Sequence, residues 1–361
     1  MTKAKAAQRP QRATAVTRSG RVAILGRPNV GKSTLMNAAL QQPLAIVSAT
    51  PQTTRDAILG IVRHSGSEIA FLDTPGLHRP KTELGRVMNR TAREVARSAD
   101  VIVLVVSPPT GNALERLRVA VGEPDATPGT RRGARPAKRT RAPSGGAAGP
   151  ARPAESTLVH PGDASLVADL PEGVPAVLVV NKVDQVRDKR LLLPLLEALA
   201  KLHDFAAVVP VSALKQSGIE RLLDAIAPLC PEGSARWGED DMTDRPLRFF
   251  ASEYVREQIL RATAEEVPHA AAVEILKFEE PPGGGALRID ATIHVERPGQ
   301  KKILVGARAE MLKRIGTAAR LRLEELCGRR VHLALWVRVT PDWRDSTRQL
   351  AELGYESGGS A

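Results

Sequence analysis

Residues 26–33 constrain the fold of this chain more than any other segment. They read Gly-Arg-Pro-Asn-Val-Gly-Lys-Ser, which fits the spacing G-x-x-x-x-G-K-[ST]. An apolar run at residues 21–25 precedes them, and a helical pattern follows. This context is typical of a strand, a glycine-rich loop and a helix whose N-terminal N–H groups hold phosphate. The segment therefore predicts a P-loop and, around it, an α/β domain.

Apolar strands and helices alternate through the first two thirds of the chain. Strands are predicted at residues 21–25, 58–62, 69–72, 101–106, 176–180 and 207–211, and helices at residues 81–98, 190–202 and 219–229. The runs at 101–106 and 176–180 are wholly apolar, which is typical of strands buried on both faces. The alternation predicts a doubly wound, mostly parallel sheet within a domain at residues 21–230.

A second, smaller α+β pattern is predicted at residues 245–355, after a linker at 231–244 and before a short tail at 356–361. Its elements are a helix at 246–262, strands at 270–279 and 286–296 around a Pro-Gly turn at 281–285, a helix or turn at 300–306, a helix at 309–327 and a strand at 331–340.

Most of the net charge of +12 lies outside these predicted domains. Residues 1–21 hold six Lys or Arg and no acid, and residues 111–160 hold nine Lys or Arg and four acids. Residues 1–20 are predicted to be a disordered basic arm. Residues 122–163, rich in Pro, Gly, Ala and Arg, are predicted to be a disordered insertion. The insertion is either a passive solvated loop or a tether to RNA or to a membrane.

Composition also excludes several classes of protein. The two cysteines, Cys230 and Cys327, are too far apart in sequence to suggest a disulfide framework or a thiolate zinc site. The longest apolar runs are far too short to cross a bilayer. The cysteine usage favours a reducing, cytoplasmic setting.

The P-loop supplies the first group of candidate nucleotide-binding residues. Lys32 is expected to neutralise charge on the β- and γ-phosphate oxygens, and the Ser33 hydroxyl to reach Mg²⁺. The predicted binding residues of this loop are Gly26, Arg27, Pro28, Asn29, Val30, Gly31, Lys32, Ser33 and Thr34.

Two segments further along are predicted to complete the phosphate and magnesium site. Asp73-Thr74-Pro75-Gly76 follows a predicted strand, so the Asp73 carboxylate can hold Mg²⁺ through water and the Gly76 N–H can contact the γ-phosphate. In the segment at residues 51–56 a threonine can join the Mg²⁺ shell. Thr54 is favoured and Thr53 is the close alternative, while an ordinary turn of the ST type remains open.

Two more segments predict which base is bound. Asn181-Lys182-Val183-Asp184 follows the strand at 176–180, and the Asp184 carboxylate can accept hydrogen bonds from guanine N1–H and the 2-amino group. Adenine has no such donors, so the pattern favours guanine. Ser212-Ala213-Leu214 follows the next strand and offers a backbone N–H to guanine O6. Lys182 is expected to lie across the ring, and Asn181 to brace the P-loop.

With these motifs in this order, the chain resembles the Era family of bacterial ribosome-assembly GTPases, in the TrmE-Era-EngA-like superfamily. The resemblance covers about residues 21–110 and 170–355. Beyond the nucleotide motifs, it depends on residues 243–245, 295–302 and 331–339.

The resemblance implies a slow GTP-hydrolysing switch with GTP or GDP and Mg²⁺ as cofactors and with Lys32, Thr54 and Gly76 as catalytic residues. Leu77 stands where other GTPases carry a water-positioning Gln. Relatives with Asn29 in the P-loop often use K⁺ in place of an arginine finger, so Asn29 is a candidate K⁺ ligand.

The resemblance also implies a type II KH domain that binds small-subunit (16S) ribosomal RNA and a monomer that assists 30S assembly. The clamp of a KH domain usually reads G-x-x-G, and here it reads Gly306-Ala307-Arg308-Ala309, so its second glycine is replaced. The flanking basic residues Lys301, Lys302, Lys313 and Arg314 are predicted RNA contacts.

Two alternative functions remain open from the sequence. One is a regulatory GTPase at the inner face of the cell membrane, held peripherally by the basic arm and insertion. The other is a GTP-dependent RNA-modification factor, which would need a separate catalytic site that the sequence does not suggest.

Overall fold

A six-stranded sheet forms the centre of the first domain in the computed structural model, which describes residues 16–48, 50, 53–109, 159–282 and 285–355. The strands lie in the order β2-β3-β1-β4-β5-β6. Only β2 runs antiparallel to its neighbour. The strands are β1 (Arg18–Leu25), β2 (Ile58–His64), β3 (Ser67–Asp73), β4 (Val101–Val106), β5 (Ala176–Val180) and β6 (Ala207–Pro210).

Helices cover both faces of this sheet, which confirms the doubly wound prediction. Val101, Val103 and Val105 of β4 pack into one apolar cluster, and the alternate residues Ile102 and Leu104 pack into another. One cluster includes α1 (Lys32–Leu40) and α5 (Ile219–Ile226). Helices of the other face are α2 (Glu83–Arg97), α3 (Pro161–Ala168) and α4 (Leu192–Ala200). Every residue of β4 and β5 is buried for this reason.

The parallel arrangement brings the carboxyl ends of five strands to one edge of the sheet. Ile24 pairs with Asp73, and Val106 pairs with Val180. The P-loop and the segments after β3, β5 and β6 all begin at this edge, where ligands bind in open α/β sheets.

The second domain has the predicted α-β-β-α-α-β order of a type II KH domain. Its sheet has the order β7-β8-β9, with the first pair antiparallel and the second parallel. Its elements are α6 (Leu247–Ala262), α7 (Val267–Ala270), β7 (Ala272–Glu279), β8 (Leu287–Val295), α8 (Pro298–Val305), α9 (Glu310–Cys327), β9 (Val331–Val339) and α10 (Thr347–Glu352).

The first strand begins earlier than predicted, so residues 18–20 belong to the sheet and not to a disordered arm. Arg18 pairs with Ser67, and Ser19 Oγ donates to the buried Glu68 carboxylate at 3.0 Å. Partners that lie almost 50 residues away stabilise this polar start of the strand, and no local pattern revealed them. Residues 1–15 of the predicted arm lie outside the described residues.

The predicted insertion also ends earlier than residue 163, because α3 begins at Pro161. His160 caps this helix by accepting the Gly162 N–H at its Nδ1 atom, 2.9 Å away. Asp163 is buried and paired with Arg27, so a residue assigned to a disordered segment belongs to the core. Residues 110–158, which hold the rest of the predicted insertion, lie outside the described residues, as do 283–284 of the predicted turn and the tail at 356–361.

The predicted linker at residues 231–244 lies along the outer edge of β2. The Ile61 N–H donates to the Met242 carbonyl at 2.9 Å, and Arg63 donates to the carbonyls of Trp237 and Gly238. The Trp237 side chain packs against the apolar cluster that contains Leu59 and Ile61. This segment therefore continues the first domain as far as the start of α6. Among the described helices, none combines the length and apolarity needed to cross a membrane.

Candidate nucleotide site and RNA clamp

The P-loop turns sharply because Gly31 has a backbone conformation that other residues rarely adopt. Its φ is 97°, and a Cβ atom on it would lie 2.4 Å from Asn181 Nδ2. Gly31 caps α1 without a side chain, and the first hydrogen bond of the helix runs from Leu35 N to Gly31 O. The N–H groups of residues 32–34 are thus free of intrahelical partners and can bind an anion.

Lys32 lies buried at the centre of this loop. Its Nζ donates to the carbonyls of Gly26 at 3.2 Å and Arg27 at 3.3 Å. Burial disfavours the charged form and lowers the pKa of Lys32 to about 8, although the nearby Asp73 carboxylate acts in the opposite direction. A bound phosphate would add further negative charge beside this ammonium group and favour its charged form.

Three oxygen-bearing side chains converge next to Lys32. Ser33 Oγ donates to Asp73 Oδ2 at 2.6 Å, Thr54 Oγ1 donates to the same oxygen at 3.0 Å, and the two hydroxyls lie 2.9 Å apart. Asp73 Oδ1 is buried without a hydrogen-bond partner among the described residues. Burial raises the pKa of Asp73, an effect that Lys32 opposes.

The structure separates the two candidate threonines. Thr54 is buried beside Ser33 and Asp73, whereas Thr53 Oγ1 donates to the Thr50 carbonyl at 2.7 Å. Thr54 is therefore the one of the pair whose hydroxyl faces the Ser33–Asp73 cluster.

The segment after β3 lies against the P-loop. Thr74 Oγ1 donates to the Ile24 carbonyl at 2.7 Å, and a Cβ atom on Gly76 would lie 2.8 Å from Pro28 N. Gly76 and Thr54 line the same cleft beside the loop. Pro75 is buried, and Leu77 packs into the apolar cluster of the α3 face.

Asn181 joins the predicted base-binding segments to the P-loop. Its Nδ2 donates to the Val30 carbonyl at 2.9 Å, and its Oδ1 accepts from the N–H groups of Lys182 at 2.8 Å and Ala213 at 3.0 Å. Lys182 has a positive φ of 62° and donates through Nζ to the Asn29 carbonyl. Burial lowers the pKa of Lys182.

The opposite side of the predicted base site is formed by Asp184 and residues 212–214. Asp184 Oδ1 accepts from Ser212 Oγ at 2.5 Å, and the Val183 N–H donates to the Val211 carbonyl. Because the Ala213 N–H already donates to Asn181, Leu214 is the member of this segment whose N–H has no acceptor among the described residues.

One ion pair at the P-loop was missed by the sequence analysis. Arg27 Nε and Nη2 donate to the two oxygens of Asp163 at 2.7 Å and 3.1 Å. Asp163 lies in the first turn of α3, at the end of the segment predicted to be disordered, so no signal near either residue indicated the pair. The Arg27 side chain is thus directed toward α3, while its carbonyl accepts from Lys32.

The predicted RNA clamp lies between α8 and α9. Gly306 has φ 69° and ψ 179°, and a Cβ atom on it would lie 2.8 Å from Met311 Cβ. Arg308 and Ala309 follow with positive φ values of 49° and 61°. Ala309 therefore occupies, as an L-residue, a conformation that glycine adopts without strain.

Basic side chains surround this clamp. Five of them are exposed and pair with no acid in the part of the chain that the structure describes: Lys301, Lys302, Arg308, Lys313 and Arg314. Gly306 and Ala309 are half-buried, and Ala307 is exposed. The clamp thus offers a turn with a positively charged rim at the start of α9.

Comparison with known proteins identifies both domains. The family described as 50S ribosome-binding GTPase matches residues 21–125, and the KH domain family matches residues 266–344. The GTPase Era of Xanthomonas axonopodis pv. citri is 42% identical over 344 residues, which are 95% of this chain and 99% of the relative. The GTPase Era of Xylella fastidiosa is 41% identical over 94% of this chain and 98% of its own length.

Two solved structures agree with these relatives. The structure of an Era variant from Aquifex aeolicus bound to GDP and AlF₄⁻ has a TM-score of 0.76 at 34% identity, over 94% of this chain and 99% of the other. Era in complex with MgGDPNP and nucleotides 1506–1542 of 16S ribosomal RNA has a TM-score of 0.77 at the same identity and coverage. The chain is therefore a member of the Era family of GTPases.

Proposed function

We propose that the chain is a GTP-hydrolysing switch that binds 16S ribosomal RNA through its KH domain and assists assembly of the 30S subunit. The observation that carries the proposal is that Ser33, Thr54 and Asp73 converge at the N-terminus of α1, which has no side-chain cap, in a chain that also has a basic KH clamp. The Era structure that holds both MgGDPNP and a 16S fragment supports the joint assignment.

The side chains present fit a magnesium ion. Two hydroxyls and one carboxylate offer hard oxygen ligands, and the unpartnered Asp73 Oδ1 is an acceptor without a proton donor. The part of the chain that the structure describes holds no cluster of three or more His, Cys, Asp or Glu able to bind a metal. A site with one carboxylate suits Mg²⁺, which typically shares its shell with nucleotide phosphates and water. When bound, the ion neutralises charge on the phosphoryl oxygens.

The remaining residues of the site take the phosphates and the base. Lys32 and the N–H groups of residues 32–34 hold the phosphates. Gly76 lies against Pro28 of the P-loop, and its N–H contacts the γ-phosphate. Asp184 accepts from the guanine N1–H and 2-amino groups, while residues 212–214 offer O6 a backbone N–H, which we assign to Leu214. Leu77 packs among apolar side chains and carries no group that orients water, so hydrolysis is slow.

K⁺ is proposed as a second cation of the reaction, next to Asn29. The support is the resemblance, in which an asparagine at this position of the loop accompanies use of K⁺. Asn29 lies at the tip of the P-loop with a positive φ of 63°, and its carbonyl accepts from Lys182.

The RNA site follows from the clamp and its rim. Single-stranded RNA places phosphates against the backbone of a KH clamp, and cations around it supply affinity. Here Arg308 is exposed within the clamp itself, and four further cations flank it. We assign these contacts to the 3′ region of 16S ribosomal RNA, the segment present in the solved Era complex.

The cellular setting is proposed to be the cytoplasm, with the chain acting as a monomer. Peripheral contact with the inner face of the membrane would depend on the basic residues at 1–21 and 111–160, most of which lie outside the described residues. Flotation with anionic liposomes tests that contact, with the full chain and with a chain that lacks residues 1–15 and 122–158, so that β1 and the His160 cap of α3 stay intact.

Two experiments test the proposed function. Calorimetric titration should show GTP and GDP binding with no comparable binding of ATP, and Asp184→Asn should weaken GTP by about 100-fold because a charged hydrogen-bond acceptor is lost. The same variant should gain affinity for xanthine nucleotides, which carry a carbonyl where guanine has an amino group. Equal affinity of the native chain for ATP and GTP would contradict the assignment of Asp184.

The second experiment identifies the RNA. Ultraviolet crosslinking in cells, followed by sequencing of the attached RNA, should return the 3′ region of 16S ribosomal RNA. Arg308→Asp is the matched control and should reduce that signal. Recovery of unrelated RNA with both proteins would contradict the proposed role.

A further inference from the structure

Thr54, the hydroxyl that joins Ser33 and Asp73, lies between two residues that the second domain holds. The Thr53 carbonyl accepts a hydrogen bond from Arg256 of α6. On the other side, the Arg55 side chain enters the second domain and is buried there. Both neighbours of Thr54 in the chain, Thr53 and Arg55, are therefore hydrogen-bonded to residues more than 200 positions later in the chain.

Arg55 is bound in a site built for a guanidinium group. It donates to the carbonyls of Ala271 at 2.8 Å and His269 at 3.1 Å, and to the Tyr355 hydroxyl at 3.3 Å. A fourth acceptor, the Pro268 carbonyl, lies 3.4 Å away. No carboxylate of the described residues is hydrogen-bonded to this cation, so its polar contacts are backbone carbonyls at the end of α7 and the Tyr355 hydroxyl.

Two aromatic rings complete the enclosure. The Arg55 guanidinium lies 5.6 Å from the centre of the Trp343 ring and 5.9 Å from that of Tyr355, and the two rings stack on each other. Trp343 is fully buried, and its Nε1 donates to the Ala270 carbonyl at 2.9 Å. Cation–π contacts of a desolvated arginine are stronger than those at the surface, so the enclosure restrains Arg55 closely.

Arg256 is restrained in a similar way on the opposite side of Thr54. It is buried and paired with Glu253 of the same helix, through Nε at 2.8 Å and Nη2 at 2.6 Å. The ion pair orients the guanidinium toward the Thr53 carbonyl. Arg256 and the acceptors that bind Arg55 all belong to the second domain. The position of Thr54 therefore depends on how the second domain packs against the first.

We infer that Arg55 is a positioning residue for Thr54 and that its enclosure in the second domain completes the magnesium site of the first. The inference depends on the GTP·Mg²⁺ site proposed above. Because Thr54 is expected to contact the metal only with the triphosphate bound, the second domain contributes to binding of GTP·Mg²⁺ and not to binding of metal-free GDP. The enclosure acts through Thr54, because Arg55, Trp343 and Tyr355 do not line the cleft beside the P-loop.

Titration calorimetry on the full chain tests this, with GDPNP plus Mg²⁺ and GDP plus EDTA as probes. Arg55→Lys keeps the charge but loses the planar group, and Tyr355→Ala removes one wall of the enclosure. Each variant should bind GDPNP·Mg²⁺ about tenfold more weakly, the size of one lost polar contact. Their affinity for GDP in EDTA should stay within about twofold of the native value, a change far smaller than the tenfold loss expected for GDPNP·Mg²⁺.

Asp345→Ala is the matched control. Asp345 follows Trp343 by two residues, and its Oδ1 accepts from the Glu83 N–H at 3.0 Å, so it also joins the two domains but at α2. It should leave both affinities unchanged. A loss of GDPNP·Mg²⁺ affinity in this variant equal to that of Tyr355→Ala would overturn the specific role of the Arg55 enclosure.

A double variant shows whether the effect passes through Thr54. Thr54→Ala should weaken GDPNP·Mg²⁺ by itself, and adding Tyr355→Ala should cause no further loss, since coupled residues are not additive. A further tenfold loss, or equal losses for both probes, would overturn the inference. Failure of the native chain to bind GDPNP·Mg²⁺ would instead refute the proposed function, so the two failures are distinguishable.

Discussion

The P-loop and the RNA clamp are both tight turns at the start of a helix, but they tolerate side chains differently. In the P-loop, Gly31 lies against Asn181, and a Cβ atom would come within 2.4 Å of its amide nitrogen. In the clamp, Arg308 and Ala309 occupy positive φ with their side chains at or near the surface. A buried turn excludes a side chain by contact, whereas an exposed turn carries only the backbone strain of about 1–2 kcal/mol per residue.

This difference explains how one glycine motif is kept and the other is altered. The P-loop glycines lie against β4 and Asn181: a Cβ atom on Gly26 would lie 2.4 Å from the Val105 carbonyl oxygen, and one on Gly31 would lie 2.4 Å from Asn181 Nδ2. The second clamp glycine of the usual KH pattern has no such neighbour to clash with here, and alanine replaces it. The clamp retains its turn and adds exposed positive charge through Arg308.

The largest expected effect comes from Gly31→Ala. Strain at φ 97° and the clash with Asn181 should together weaken GDP by about 1,000-fold, as measured by calorimetry. Gly173→Ala is the control, because Gly173 also has a positive φ of 77° but no atom within 4 Å of the added Cβ. If both variants bound GDP equally well, contact would not be what distinguishes the P-loop from the clamp.

Arg308→Asp should have the next largest effect and should act on RNA alone. Single-stranded 16S RNA should bind about tenfold more weakly, and the slope of log affinity against log salt should fall by about one, because a phosphate contact is lost. GTP hydrolysis without RNA should be unchanged, since the clamp lies in the other domain. An unaltered salt slope would place the RNA contacts elsewhere on the molecule.

Replacing Na⁺ by K⁺ should raise the rate of GTP hydrolysis several-fold, through charge that supports the transition state at the P-loop. Asn29→Ala should remove the difference between the two salts, which steady-state phosphate release measures. Identical rates of the native chain in both salts would exclude K⁺ and leave the slow switch in place.

The smallest expected effect is that of Ala309→Gly. Relief of the positive φ at residue 309 should raise the free energy of unfolding by about 1 kcal/mol, less the entropy that glycine adds to the unfolded chain. Urea denaturation measures this change, and RNA affinity should hold or improve. A destabilised variant would show that Ala309 makes contacts worth more than the strain.

The sequence by itself determined the fold class and the order of the two domains, and it predicted the segments that meet at the carboxyl edge of the first sheet. These features depend on local sequence. A glycine-rich loop between a strand and a helix, or a carboxylate just after an apolar strand, can be recognised from about ten consecutive residues. The same holds for the KH order and for the altered clamp at residues 306–309. Helix and strand bounds were off by a few residues where caps and short 3₁₀ turns end the elements.

Only the tertiary structure decided which atoms of these segments meet. It selected Thr54 over Thr53, assigned the Ala213 N–H to Asn181, and ordered Asp163 beside Arg27, 136 residues away. Arg55 and Tyr355, 300 residues apart, meet for the same reason. Such pairs form when two folded elements pack together, and burial then selects the partners because a desolvated charge without one is costly. No local sequence pattern predicts which of these distant residues will pair.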